Sequence, residues 1–390
     1  MSQYNFDEII ERQGTGAIKT DILKERFGEA DLLPLWVADM DFRTPDFILQ
    51  AIENRCKTGI LGYAKTPDNY HPEVMQWLHR MHRWEIEKEW LDFIPGVVKG
   101  IAFCVMHFTQ PGEKVIIQSP VYYPFRMVPE NLGRTVVNNP LREENGQYSM
   151  DFDHLESIID DDCKLLVLCN PHNPIGITWS KDTLQRLADM CLKHNILVIS
   201  DEIHADLAIF GHKHIPFATV SEAAVQNSIT LMAPSKTFNM AGVVSSYCII
   251  PNPTIRRGFY HFLQASELNQ MHSFAGIACT AAYAHGEVWM REMLSYVEEN
   301  IRFVQQYLQE NIPSIKAIIP QASFLVWLDC RAMNLSQKEL VDFFVREAKL
   351  ALNDGSSFGT GGDGFMRMNV GCPRKTLQIA LERLRAKSKF

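Results

Sequence analysis

Long apolar runs are missing from this 390-residue chain. None approaches the ~20 residues that a membrane-spanning helix needs. The opening segment is polar and acidic where an export signal would be basic and then apolar, so a soluble, cytoplasmic protein is expected. Disulfide and zinc frameworks are missing too. The nine cysteines are scattered from Cys56 to Cys372, with no C-x-x-C pair and no tight Cys/His cluster, and reduced thiols are the simplest reading. Positive charge is in deficit: 38 Lys and Arg stand against 46 Asp and Glu, a net charge of −8. A surface of that sign repels phosphate backbones, and no nucleic acid partner is expected. No internal repeat or low-complexity tract is present. What is left is ordinary globular composition, 46% hydrophobic and 22% charged, in a chain long enough for two or three domains at ~150 residues each.

Between about residues 90 and 250, short β-rich apolar runs alternate with helical-looking polar stretches, the signature of βαβ units around a parallel sheet. Candidate strands are Lys114–Gln118, Lys164–Cys169, Ile196–Ser200, Ser228–Met232 and Ser245–Ile250. After Gly286 the pattern changes. Trp289, Met293, Val297, Ile301, Val304 and Leu308 recur every three or four residues, giving one apolar face of a long helix. Phe324–Leu328 and Phe365–Val370 read as strands around a helix near Gln337–Ala348. The expected organisation is a large domain over 46–285 and a smaller α+β domain made of 1–45 and 286–390.

Ligands of open α/β sheets bind outside the carboxyl ends of the parallel strands, and the residues there are unusual. Lys236 stands in Ala-Pro-Ser-Lys-Thr-Phe-Asn-Met-Ala-Gly (Ala233 to Gly242), directly after a strand. A lysine held out of bulk water deprotonates more easily, and its neutral amine attacks carbonyls. Asn170-Pro-His-Asn-Pro-Ile-Gly176, Asp201-Glu-Ile-His204 and Ser119-Pro-Val-Tyr-Tyr-Pro-Phe125 follow three further strands. Pro95-Gly-Val-Val-Lys99 opens a helix through Ile101–Phe108, whose free N–H groups suit an anion. An amine for an aldehyde, an anion for a pyridinium nitrogen, a donor, an aromatic lid and a phosphate cup are the parts that pyridoxal 5′-phosphate requires.

Two other motifs carry less. Gly359-Thr-Gly-Gly-Asp-Gly364 fits G-x-G-x-x-G, but a strand follows it instead of a helix, so it reads as a mobile loop. His212 and His214 lack ordered carboxylate or thiol neighbours in the sequence, and no metal site is expected.

Lys-Thr-Phe-Asn-x-Ala-Gly, Asn-Pro-His-Asn-Pro-x-Gly, Ser-Asp-Glu-Ile-His-x-Asp and Trp-Val-Ala-Asp-Met-Asp-Phe (Trp36 to Phe42) resemble the fold-type I pyridoxal-phosphate enzymes. The resemblance is to the MalY/PatB-type carbon–sulfur lyases, also called cystathionine β-lyases, over nearly the whole chain. It implies an aspartate-aminotransferase-like α/β fold with a mostly parallel sheet. Lys236 would be the Schiff-base lysine and the base for the α-proton, Asp201 the partner of the pyridinium nitrogen, and Asn173 the donor to the ring oxygen. Tyr122 would cover the ring in preference to Tyr123. The phosphate would fall to the N–H groups of Val97 and Val98, to Ser235, and to Tyr63 reaching across a homodimer interface. Relatives often carry Ser where this chain has Ala233. Arg367 would clamp the substrate carboxylate, and His204, standing where aspartate-type aminotransferases carry a tyrosine, would lie near the ring oxygen. The implied substrate is a small amino acid, L-cystathionine or a related thioether. An aminotransferase of the same fold, a regulatory binding protein and a nicotinamide dehydrogenase are the alternatives.

Overall fold

In the computed structural model, which describes residues 3–388, the alternation between residues 90 and 250 becomes a seven-stranded sheet. Across it the strands run Leu91–Ile94, Ser246–Ile249, Ser228–Met232, Leu197–Asp201, Cys163–Cys169, Lys114–Ile117 and Thr135–Asn138. From Ser228–Met232 to Thr135–Asn138 every pairing is parallel. The central strands are buried nearly throughout, which is why they read as unbroken Val/Ile/Leu runs instead of alternating. Register sets Cys169 beside Asp201 and Asp201 beside Leu231. The carboxyl ends of three neighbouring strands therefore open together.

Ser246–Ile249 departs from the βαβ expectation, being antiparallel to both its neighbours. The stretch from Met232 to Ser246 holds the Lys236 loop and one 3-10 turn, Ala241–Val243. It lacks the helical crossover that would return the chain for a parallel pairing. Leu91–Ile94 and Thr135–Asn138 are edge strands that the sequence pattern did not single out. Each is four residues long, too short for a firm periodicity.

The second sheet has the order Lys316–Ile318, Leu325–Asp329, Phe365–Asn369, Asn353–Asp354, antiparallel throughout. It shares a core with the helix Glu287–Asn311, whose expected apolar stripe is buried. The helix expected over Gln337–Ala348 is α-helical only over Gln337–Asp342, opening with a Ser336/Glu339 capping box, and continues as a π-helical turn, Phe343–Glu347. The N-terminal segment joins this sheet's neighbourhood through Leu33–Pro34, parallel to Leu350–Ala351. The Gly359–Gly364 stretch leads into a strand, and its backbone packs so closely that a Cβ on Gly362 would lie 2.0 Å from the Gly355 carbonyl oxygen. Among the described residues, no helix is long and apolar enough to cross a membrane.

Candidate active site

A cavity of about 270 Å³ opens at the carboxyl ends of the central strands, with Lys236, Asp201, Asn173, Tyr122, Val97, Val98, Ser235 and His204 on its wall. Of the residues singled out in the sequence, Arg367 and Tyr63 do not line it. Arg367 lies directly behind, bonded to Asn173, and Tyr63 is fully exposed on this chain.

Asp201 is the last residue of its strand, which ends one residue later than the sequence pattern implied. Its carboxylate is buried and accepts the Ile203 N–H at 3.1 Å. Burial raises its pKa to about 7, against the pull of that hydrogen bond and of the Lys236 charge. A buried carboxylate with so little compensation suits a cationic partner.

Lys236 is presented by a loop that is pinned just beyond it by Thr237 and Asn239. Thr237 Oγ1 donates to Asp206 Oδ2 at 2.9 Å. The Asn239 side chain accepts the Met40 N–H and donates to the Met40 and Phe42 carbonyls. The lysine amine donates to the Ala38 carbonyl at 2.5 Å. Burial, reinforced by the Arg367 charge, lowers its pKa to about 8, with Asp39 and Asp201 opposing. An amine so placed passes between base and acid close to neutrality.

Asn173 lines the cavity and its Oδ1 accepts from Arg367 Nη1 at 2.9 Å, which leaves its amide NH₂ as the group available to donate. Arg367 also donates to the Trp36 carbonyl at 3.0 Å and to Asn353 Oδ1 at 2.6 Å, while its Nε has no hydrogen-bond partner. Burial lowers its pKa to about 10, and it stays cationic near neutrality. His204 is buried with Nδ1 unpartnered. Burial and then the charges of Lys236 and Arg367 push its pKa to about 3, leaving a neutral imidazole.

At another part of the wall the helix Val97–Phe108 begins after Gly96 with no side-chain cap. The N–H groups of its first turn are therefore free for an anion. Gly96 has φ +121, a conformation that side chains rarely adopt. Ser235 and the buried, unpartnered hydroxyl of Ser245 also face this cavity. Together a lone buried carboxylate, a depressed amine, an amide donor, a flat aromatic and an uncapped helix start fit pyridoxal 5′-phosphate.

Sequence reasoning quoted Gly96, Ile203 and Ala38 only as members of motifs, without assigning them to the wall, and missed Ser245 as part of it. Ala38 lies inside a quoted motif, but nothing in the residue type says that its backbone faces a lysine. His214 is buried and pairs with Glu202 at 2.7 Å, and Glu202 also accepts from Ser200 Oγ and the Phe217 N–H. Among the described residues, no group of three or more His, Cys, Asp or Glu is arranged to hold a metal ion.

The pattern that defines aminotransferase class I and II matches residues 30–384. The chain belongs to the class I and II aminotransferase family. Within that family it is 43% identical over 383 residues to the cystathionine β-lyase PatB of Bacillus subtilis, covering 98% of this chain and 99% of PatB. Among solved structures it is similar to the pyridoxal-phosphate-containing cystalysin of Treponema denticola, with TM-score 0.95, 35% identity and 99% of each chain covered. It is also similar to the pyridoxal-phosphate-bound C–S lyase of Staphylococcus hominis, with TM-score 0.91, 31% identity, and 99% of this chain and 98% of that one covered. The aspartate-aminotransferase-like fold expected from the motifs is the fold of this family.

Proposed function

We propose that this chain is a pyridoxal-phosphate-dependent carbon–sulfur β-lyase that converts L-cystathionine or a related cysteine thioether, with water, to a thiol, pyruvate and ammonia. For cystathionine the thiol is homocysteine. The observation that carries this reading is the half-buried Lys236, its amine sharing one cavity with the buried Asp201 carboxylate, in a chain collinear with a cystathionine β-lyase.

When bound, the cofactor supplies an electron sink for negative charge at the substrate α-carbon. The chain's own residues do the rest. Asp201 holds the ring nitrogen protonated by charge pairing in a low-dielectric site. The Asn173 amide would donate to the ring oxygen, with neutral His204 near it, and Tyr122 would cover the ring. The N–H groups of Val97 and Val98, with Ser235, hold the phosphate; Ala233 adds no hydroxyl. Arg367 would hold the substrate carboxylate from behind the wall, by charge and with its unpartnered Nε–H as the free donor. Lys236 would be the point of covalent attachment and, once the substrate amine has displaced it, its freed Nζ would take the α-proton.

Residues 46–285 form the large domain, and 1–45 with 286–390 the small one, as far as the described residues 3–388 reach. The seven-stranded sheet lies wholly within the first span, and the pairing of Leu33–Pro34 with Leu350–Ala351 ties the N-terminal segment to the second. The working unit is a homodimer in which Tyr63 completes the partner's phosphate site. Supporting this, Tyr63 is 112% exposed beside Ile60 at 77% and Leu61 at 61%, an apolar stretch that a partner would cover. All nine cysteines are unpaired, in keeping with a reducing cytoplasmic compartment.

An aminotransferase shares the proton abstraction and needs a keto-acid acceptor to turn over. Purified protein given cystathionine alone is expected to release pyruvate and a thiol in equal amounts. Turnover that appears only when a keto acid is added, with no pyruvate or thiol formed from cystathionine alone, would contradict the lyase reading.

A further inference from the structure

The Trp36–Phe42 segment is laid along the site as a strap, and its carbonyls are taken in turn by residues from two different parts of the fold. That of Trp36 accepts from Arg367 at 3.0 Å, that of Val37 from Asn369 at 2.6 Å, that of Ala38 from Lys236 at 2.5 Å and that of Asp39 from Asn369 at 2.6 Å. Arg367 and Asn369 belong to the strand Phe365–Asn369 of the small sheet, whereas Lys236 follows a strand of the large one. The strap is thus bonded directly to both the amine and the guanidinium.

Four charges hold it. Arg12 binds Asp39 through Nη2 at 2.6 Å and Asp41 through Nη1 at 2.7 Å. Lys19 binds Asp41 at 2.8 Å and reaches Asp39 at 3.6 Å. The Lys19 side chain has no exposed surface, and the other three are only about a fifth exposed, at 22%, 22% and 19%. Two cations and two anions close on one another, so removing any one leaves an unpaired charge in a largely dry place.

We propose that Asp39, Asp41, Arg12 and Lys19 are positioning residues for the lyase reaction, a clamp that fixes the strap and through it the separation between the Lys236 amine and the Arg367 guanidinium. This inference rests on the roles proposed above for those two residues. Proton transfer from a substrate held by its carboxylate is sensitive to that separation, since a misplacement of ~1 Å costs on the order of 10²-fold in rate. Asp39 also acts on the amine by charge. Asp39 and Asp201 favour its protonated form, Arg367 opposes it, and His204 and Tyr122 face the same cavity uncharged.

The test compares Arg12→Met with Asp39→Asn in the full chain. Each is read by kcat and KM on cystathionine and by the pH profile of cofactor uptake by the cofactor-free protein, which follows the Lys236 amine without turnover. Both variants are expected to lose kcat by about 10- to 100-fold with a smaller change in KM. The uptake profiles are expected to move in opposite directions, by roughly half a pH unit or more for a neighbouring charge gained or lost. Arg12→Met uncovers the Asp39 charge and moves the profile up; Asp39→Asn removes that charge and moves it down. Shifts in the same direction, no shift in either, or a wild-type kcat in both would overturn the proposal. Should either variant not fold, Arg12→Lys keeps the charge and loses the fork. A lowered kcat with an unmoved profile then supports the clamp, and a wild-type kcat overturns it. If the parent protein carries its cofactor on a residue other than Lys236, the reading of the site fails first, and the parent's own colour and peptide map show that independently of the variants.

Discussion

Lys236→Ala is expected to yield a folded protein that retains no covalently attached cofactor and has lost at least about 10⁴-fold in lyase activity, the scale for removing a general base together with a covalent anchor. The loss follows from what the amine does and from how it is held. It is held half-buried against the Ala38 carbonyl with its pKa lowered to about 8, and among the described residues the cavity wall offers Lys99 as its only other lysine. Lys99 sits in the first turn of the helix Val97–Phe108, whose uncapped start is proposed to hold the phosphate. The change removes a side chain from a cavity wall and not from the packed core, so the thermal melt of the cofactor-free variant should stay close to that of the wild type. Retained turnover with a bound chromophore would contradict the assignment of Lys236.

Asp201→Ala is expected to cost two to four decades in kcat, because losing one partner of a buried ion pair costs ~3 to 5 kcal/mol and each ~1.4 kcal/mol in the barrier is tenfold in rate. Stability should respond in the opposite sense when the cofactor is absent. The folded carboxyl holds its proton up to a pKa of about 7, against 3.8 for an ordinary one. Between pH 4 and 7 the folded state therefore binds more protons than the unfolded chain, and this group's contribution to stability falls as pH rises through that window. Above it the penalty is complete; below pH 4 both states are protonated and it vanishes. Cofactor-free Asp201→Asn, which cannot ionise, is thus expected to be more stable than cofactor-free wild type at pH 8 by roughly 2–4 kcal/mol, with the gap closing toward pH 4. Adding cofactor should reverse the order. Matched urea titrations at the two pH values check this, and an Asn variant no more stable at pH 8 would contradict an uncompensated carboxylate.

Much of this site was legible because strand ends concentrate chemistry at fixed places. Apolar runs locate the strands, and the polar residues just beyond them face a common crevice, so Asn173, Asp201 and Lys236 could be placed together without coordinates. The helix stripe from Trp289 to Leu308 was legible for a similar reason, since spacing alone fixes which side is buried. Strand direction was less so: Ser246–Ile249 looks like its parallel neighbours, and only the short connection behind it makes it antiparallel. The contacts of Arg367 with Asn173 and of Lys236 with Ala38 join residues 194 and 198 positions apart, and one of them uses a backbone carbonyl that has no residue signature. The Arg12 and Lys19 clamp was equally invisible, because an isolated Arg or Lys near the chain start looks like any solvated charge until the fold buries it.

The most direct measurement is borohydride reduction of the purified yellow protein followed by peptide mapping. The expected result is loss of the visible band and one modified peptide, with the added mass on Lys236. A colourless protein that takes up no pyridoxal 5′-phosphate, or a modification on a different lysine, would contradict the account.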